Sequence, residues 1–369
     1  ASLVQRVTPL TSLSQNHELN PTVSYHSWAD SSHGHQELPV EDSVMQKSQS
    51  NNSALLPPDH PIYNPRAMVI DPPMLTGLEE TVLSWLWCGR AGGIVLGDAR
   101  HGKSTAAREV STRLRTRCGE PVSSVYISLA KRDLKTITAV FRNLWFSIHN
   151  TVKTRATSDE LAYDLVNYLA DEACLNANRQ VVIIVDEAQY LSISQYDPFM
   201  ELGEKLLAIG VSLMVVFIAN CNEYDRFVEE VRTEEALDKY RGRFFNDCYY
   251  FTGLQRVENV KACLLEYDNY KYPESNKKTL TEVLRPYDAP DGWEICSLAP
   301  LLWEIFNDEY RKPLGLRSWG MQYFTTTVNT LLLDYFPRYG LGDYEERGEM
   351  IRHCINVSGV VPSNVKLAS

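Results

Sequence analysis

The chain has 369 residues, 44% hydrophobic and 10% aromatic, which is enough for one large domain and a smaller one with buried cores. A formal net charge of −11 excludes a surface that is basic throughout and leaves room only for a local basic strip. Eight scattered cysteines without a C-x-x-C pair argue against a zinc site or a dense disulfide framework and predict a reducing, cytoplasmic setting.

Residues 1–56 hold eleven serines and four of the eight histidines, with few periodic apolar positions, and read as a flexible tail. From Leu56 the chain is proline-punctuated and extended, and LTGLEETVLSWLWCGR then reads as a helix. Strands and helices alternate from there: strand GGIVL, helix 103–117, strand 124–130, helices within 133–150 and 158–176, and strand 181–187. Helix 197–209, strand 211–220, helix 222–239 and strand 248–254 complete the series. Five apolar runs alternating with helices predict an α/β fold, a five-stranded parallel sheet covered on both faces over 57–254. Helices at 256–271, 276–285, 297–310 and 316–336 predict a small all-α lid, 255–336, with residues 337–369 as a C-terminal tail. The longest apolar run, Leu213–Ala219, is too short for a membrane span, and no membrane association is expected.

The stretch GDARHGKST carries the complete pattern G-x-x-x-x-G-K-[ST]. Its residues Gly97, Asp98, Ala99, Arg100, His101, Gly102, Lys103, Ser104 and Thr105 lie between an apolar strand and a helix. Glycines let backbone N–H groups wrap around phosphate oxygens, and the following helix N-terminus adds positive potential. Lys103 is predicted to reach the β- and γ-phosphates of a nucleotide, and Ser104 to hold Mg²⁺.

VVIIVDEAQ ends a strand in two acids. Asp186 is predicted to hold Mg²⁺ through water beside the phosphate loop, and Glu187 to polarise the water that attacks the γ-phosphorus. Asn220, ending the next strand, is placed to bridge that water and the γ-phosphate. Arg241 and Arg243, immediately before the fifth strand, are expected to project toward a neighbouring subunit, where an arginine stabilises phosphoryl-transfer charge in trans. Arg317, placed at the start of the last lid helix, is expected to touch the γ-phosphate and couple lid closure to nucleotide.

Phosphate loop, strand-end Asp-Glu, Asn after the fourth strand, Arg before the fifth and Arg in a helical lid occur in an order that resembles the AAA+ ATPases, over about residues 60–336. YYFTGLQRVENVKACLLEYD, where the fifth strand leads into the lid, is similar to them as well. The compact size and the DEAQ ending resemble the transposition regulators TnsC, TniB and IstB. That resemblance implies an ATPase using ATP and Mg²⁺ that assembles as a ring or helical filament on double-stranded DNA. Its further implied partners are a target selector of the TniQ type and a DDE transposase. Arg100 and His101, bulky residues inside the phosphate loop, and the long Ser/His-rich tail depart from the pattern. Other AAA+ machines, of initiator or helicase-loader type, and a signalling NTPase switch are the alternative readings.

A basic strip follows the second strand: Lys131, Arg132, Lys135 and Arg142, then Lys153 and Arg155. With a helix from Asp133, Lys135 and Arg142 share one face. The segment resembles the DNA-facing region of TnsC-like assemblies, where weak phosphate contacts from many subunits add up.

Overall fold

The computed structural model describes residues 56–64, 68–131, 136–230, 239–285, 292–339 and 344–361. The expected tail, residues 1–56, lies outside them but for Leu56. Among the described residues no helix is long and apolar enough to cross a membrane, and all eight cysteines are free thiols.

A first helix, α1 (Pro73–Trp87), leads into five strands: β1 (Gly92–Gly97), β2 (Ser123–Ser128), β3 (Gln180–Asp186), β4 (Ser212–Asn220) and β5 (Cys248–Tyr250). They form one sheet in the order β2-β3-β4-β1-β5, and every neighbouring pair is parallel. Between them run α2 (Lys103–Arg113), α3 (Ile137–His149), α4 (Ser158–Ala173), α5 (Asp197–Ala208) and α6 (Cys221–Glu230).

Strand β3 shows why its sequence is an unbroken apolar run. Val182 and Ile184 pack on the face covered by α1 and α2, while Val181, Ile183 and Val185 pack on the face covered by α3, α4 and α5. A parallel sheet wrapped by crossover helices has no solvent face, so period-2 alternation vanishes from its central strands. In such a sheet all the strands run the same way, so their C-terminal ends form one edge. Gly97 of β1 is in register with Asn220 of β4, and Ser128 of β2 with Asp186 of β3. The predicted phosphate, metal and water residues therefore meet along that edge.

Several boundaries differ from the sequence expectations. Helix α2 stops at Arg113, because Leu114 turns extended and Arg115 pairs with Pro121 in a short antiparallel bridge. Arg113, in the basic run read as an outer helix face, forms ion pairs with Asp71, Glu79 and Glu109 at 2.9–3.6 Å. Helix α3 begins at Ile137 rather than Asp133: the Thr136 hydroxyl accepts from Ala139 N and caps it. Lys135, expected to share a helix face with Arg142, lies outside the described residues. Strand β5 is short, since after Phe251 N bonds Leu96 O the chain turns toward the lid.

The lid contains α7 (Val257–Asn269), α8 (Leu280–Leu284), α9 (Ala299–Ile305), α10 (Met321–Thr330) and α11 (Tyr344–Val357). Helix α10 starts at Met321, not near Leu316. Trp319 spends its backbone N–H and C=O on Leu254, at 2.8 and 2.9 Å, and so stays extended. Its indole is fully buried and stacks on Phe306 with ring centroids 4.1 Å apart. The segment read as a C-terminal tail instead supplies α11. Ile351, Cys354 and Ile355 are each 1% exposed or less and belong to the apolar core that the lid helices share with α1, α2 and one face of the sheet. Three apolar residues at helical spacing, too few to stand out in sequence, suffice once lid helices offer a surface to cover.

Replacing Ile355 by Ala removes buried methyl groups and should cost about 2–5 kcal/mol in urea unfolding. A change within about 0.5 kcal/mol, the usual range for a surface position, would return 344–357 to the status of a tail.

Candidate active site

The loop between β1 and α2 turns through two left-handed residues, Arg100 at φ 65° and Gly102 at φ 93°. Gly102 meets that demand freely, whereas Arg100 holds it at a cost of about 1 kcal/mol. At Gly97 the constraint is space: a Cβ would sit 2.3 Å from Phe251 O. Lys103 opens α2 and folds its ammonium back under the loop, donating to Gly97 O at 2.8 Å and Asp98 O at 2.7 Å. Burial lowers its pKa, opposed by the nearby Cys221, Asp186, Glu187 and Asp98.

Asp186 is 3% exposed, and both of its carboxylate oxygens are held. Oδ1 accepts from Glu187 N at 2.9 Å and Oδ2 from the Tyr126 hydroxyl at 2.6 Å. Burial and the bond to Asp186 push the Tyr126 phenol far up, so it stays a proton donor, and the Arg108 guanidinium lies 4.9 Å over its ring. Glu187 follows in a left-handed conformation, φ 58° and ψ 38°. Its carboxylate accepts from Gln189 Nε2, while Gln189 Oε1 accepts from Asn220 N at 3.2 Å. Asn220 Oδ1 accepts from Asn222 N at 3.1 Å, leaving the amide NH₂ as its outward donor.

These groups line one cavity of about 490 Å³. Its polar lining is Ala99 to Thr105, Asp186, Glu187 and Asn220, and its apolar lining is Met68, Ile70 and Leu75 before and within α1, Ile218 of β4, Phe251, and Met321 of the lid. Size and lining suit a nucleoside triphosphate: anion-binding backbone and an ammonium for the phosphates, apolar walls for a base. Ser104 and Asp186 both line it, a hydroxyl and a carboxylate of the hard-oxygen type that Mg²⁺ takes.

Other predicted residues do not line the cavity. Arg241 and Arg243 sit in a wide helical turn, Arg241–Phe245, ahead of β5. Arg243 pairs with Glu204 at 2.9 Å, an exposed contact worth at most about 1 kcal/mol. Arg317 is exposed in the extended stretch before α10 and does not line the cavity; Met321, Gln322 and Thr325 are the lid's contribution there. In the basic strip, Lys131 and Arg155 are exposed, and Arg132 and Lys135 lie outside the described residues. Arg142 and Lys153 are used inside the subunit. Arg142 donates to Thr154 O and Ala156 O, while Lys153 pairs with Asp164 and stands 3.6 Å over the Trp145 ring.

Sequence reading missed Tyr126, Gln189, the walls at Met68–Leu75, and the part played by the two bulky loop residues. Arg100 O accepts from Gln322 N at 3.1 Å, and its guanidinium donates to Tyr323 OH at 3.1 Å. His101 is 7% exposed and shares a 2.9 Å hydrogen bond with Ser318, whose oxygen also accepts from Gly253 N. The phosphate loop is thereby bonded to the lid.

Burial lowers the His101 pKa below its ordinary 6.5, so the neutral ring is the one the fold accommodates. The unfolded chain takes up this proton near pH 6.5, the folded chain only lower. Stability from the neutral ring is therefore complete above about pH 6.5 and lost as pH falls through the folded value. His101→Gln should flatten the fall in melting temperature between pH 7.5 and 5. Parallel profiles for the variant and the wild type would remove His101 from the acid response.

Residues 89–226 match the family model described as AAA domain. No curated protein matches the sequence. Among solved structures, the ORC2 protein of Aeropyrum pernix in its ADP form is similar at 12% identity and a TM-score of 0.41, over 79% of this chain and 80% of that one. The Drosophila ORC bound to DNA is similar at 10% identity and 0.36, over 90% and 83%. Cdc6p from Pyrobaculum aerophilum is similar at 15% identity and 0.34, over 86% and 98%. The stretch that matches the AAA-domain model includes the phosphate loop and the strand-end acids, on an α/β fold with a five-stranded parallel sheet.

Proposed function

We propose that the protein is an ATP-hydrolysing assembly factor that binds duplex DNA as a homo-oligomer. The observation that carries the hydrolytic part is the single cavity where Lys103, Ser104, Asp186, Glu187 and Asn220 meet. Mg²⁺, when bound, neutralises the charge that builds on the transferred phosphoryl group. The chain's own part is to position and exclude. Loop amides and the α2 N-terminus hold the phosphates, and the Lys103 ammonium exchanges its two loop carbonyls for phosphate oxygens. The Glu187 carboxylate accepts a proton from water on the far side of the γ-phosphorus, and the free amide hydrogens of Asn220 orient that water or the phosphate. Arg241 or Arg243 of a neighbouring subunit is the proposed cation in trans, and Arg317 moves inward only as the lid closes.

For DNA, the proposed contacts are Lys131, Arg132, Lys135 and Arg155. Arg142 acts indirectly: bonded to carbonyls on both sides of Arg155, it holds that residue's loop in place. Contacts of this kind address backbone phosphates and add up along an oligomer. The DEAQ ending and the compact size favour the transposition-regulator setting, with a TniQ-type selector and a DDE transposase as partners. An initiator- or loader-type machine uses the same site without those partners, and a signalling NTPase uses it without DNA.

Glu187→Gln should bind ATP normally, lose turnover by about 100-fold or more, and accumulate long-lived DNA complexes. Reversing Lys131, Arg132 and Lys135 to Glu should abolish duplex binding and leave nucleotide affinity intact. Wild-type binding should fall steeply across a salt series and depend little on sequence. Unchanged turnover in the first variant removes Glu187 from the chemistry. An unchanged salt slope in the second removes DNA from this strip. Electron micrographs with duplex and a non-hydrolysable analogue should show rings or filaments; monomers throughout favour the signalling reading.

A further inference from the structure

Gln189 is buried, at 8% exposure, two residues past the carboxylate proposed to activate water. Its side-chain amide is used at both ends. The NH₂ donates to Glu187 Oε2, and the carbonyl accepts from the backbone N–H of Asn220. The amide can face only one way: a carboxylate accepts and an N–H donates, so exchanging its N and O would lose both bonds.

Those two bonds join the ends of different strands. Glu187 follows β3, where its own N–H is tied to Asp186 Oδ1 and its carbonyl accepts from Tyr190 N at 3.0 Å. Asn220 ends β4, with its side-chain oxygen committed to Asn222 N. Backbone is thus fixed at both ends, while the Glu187 side chain has three rotatable bonds. Glu187 is left-handed in its backbone, and among the described residues no other hydrogen bond or ion pair holds its carboxylate. One Gln189 bond occupies Oε2 and leaves Oε1 for water.

We infer that Gln189 is a positioning residue for hydrolysis, clamping the Glu187 carboxylate to the end of β4 so that Glu187 and Asn220 address one water. This rests on the ATPase reading above. Both ends of the Gln189 amide are spent on Glu187 and Asn220, so the clamp sets a geometry and its loss acts on kcat and not on binding. A misplacement of about 1 Å costs up to about 100-fold in rate.

The protein is assayed for ATP turnover over a range of ATP concentrations, as wild type, Gln189→Ala, Gln189→Glu and Glu187→Gln. Binding of a fluorescent ATP analogue and melting temperature are measured on the same samples. Gln189→Ala should lower kcat by about 10- to 100-fold, with KM and analogue affinity within about twofold. Gln189→Glu still accepts from Asn220 N but sets a second carboxylate against Glu187. Like charges repel, so this near-isosteric variant should lose kcat as Gln189→Ala does. A purely structural glutamine would be spared by the near-isosteric change. Wild-type kcat in Gln189→Ala, or a loss of kcat matched by equal losses of analogue affinity and melting temperature, overturns the clamp while an inactive Glu187→Gln leaves the ATPase reading standing. No Glu187-dependent turnover in the wild type overturns both.

Discussion

A single buried ammonium facing a row of strand-end carboxylates organises this protein. Lys103 is drawn under its loop by two carbonyls, and Asp186 and Glu187 stand across from it at the same edge of the sheet. Placing such charges together costs desolvation, and that cost is tolerable only where opposite charge and hydrogen bonds offset it. Asp186 shows how completely the fold does so, with a main-chain donor on one oxygen and the Tyr126 phenol on the other. Parallel strand order then has a purpose beyond packing, since it delivers the loop, the acids and Asn220 to one edge.

The same loop is the hinge-side anchor of the lid. Arg100 and His101, which are unusual inside a phosphate loop, bond to α10 and to Ser318 while also lining the cavity. Gly253 admits this approach: a Cβ there would lie 2.2 Å from Trp319 O and 2.6 Å from the His101 ring. The loop is bonded directly to the start of α10 through Gln322 N and Arg100 O, and Met321 and Gln322 also wall the cavity. The bonds from this loop to the lid run through backbone and buried side chains.

Much of the architecture was legible because parallel sheets write themselves as apolar runs. GGIVL, VVIIVDE and VSLMVVFIAN each needed burial on two faces, and each found it. The phosphate loop was legible for a different reason: its glycines answer steric demands that other residues meet poorly or not at all. What stayed hidden depended on partners distant in sequence. Tyr126 is an ordinary strand tyrosine until β2 and β3 come into register, 60 residues apart. Helix α11 has a weak apolar stripe that only the lid helices make meaningful. Arg142 and Lys153 read as free cations because the loop and the Asp164 that engage them could not be placed from sequence.

Calorimetric titration with an ATP analogue, with and without Mg²⁺, addresses the Lys103-centred site most directly. The wild type should bind, more tightly with Mg²⁺, and Lys103→Ala should weaken binding on the order of 100-fold while leaving the melting temperature of the free protein nearly unchanged. Equal affinity in the two proteins would contradict the assignment of this loop as the phosphate site.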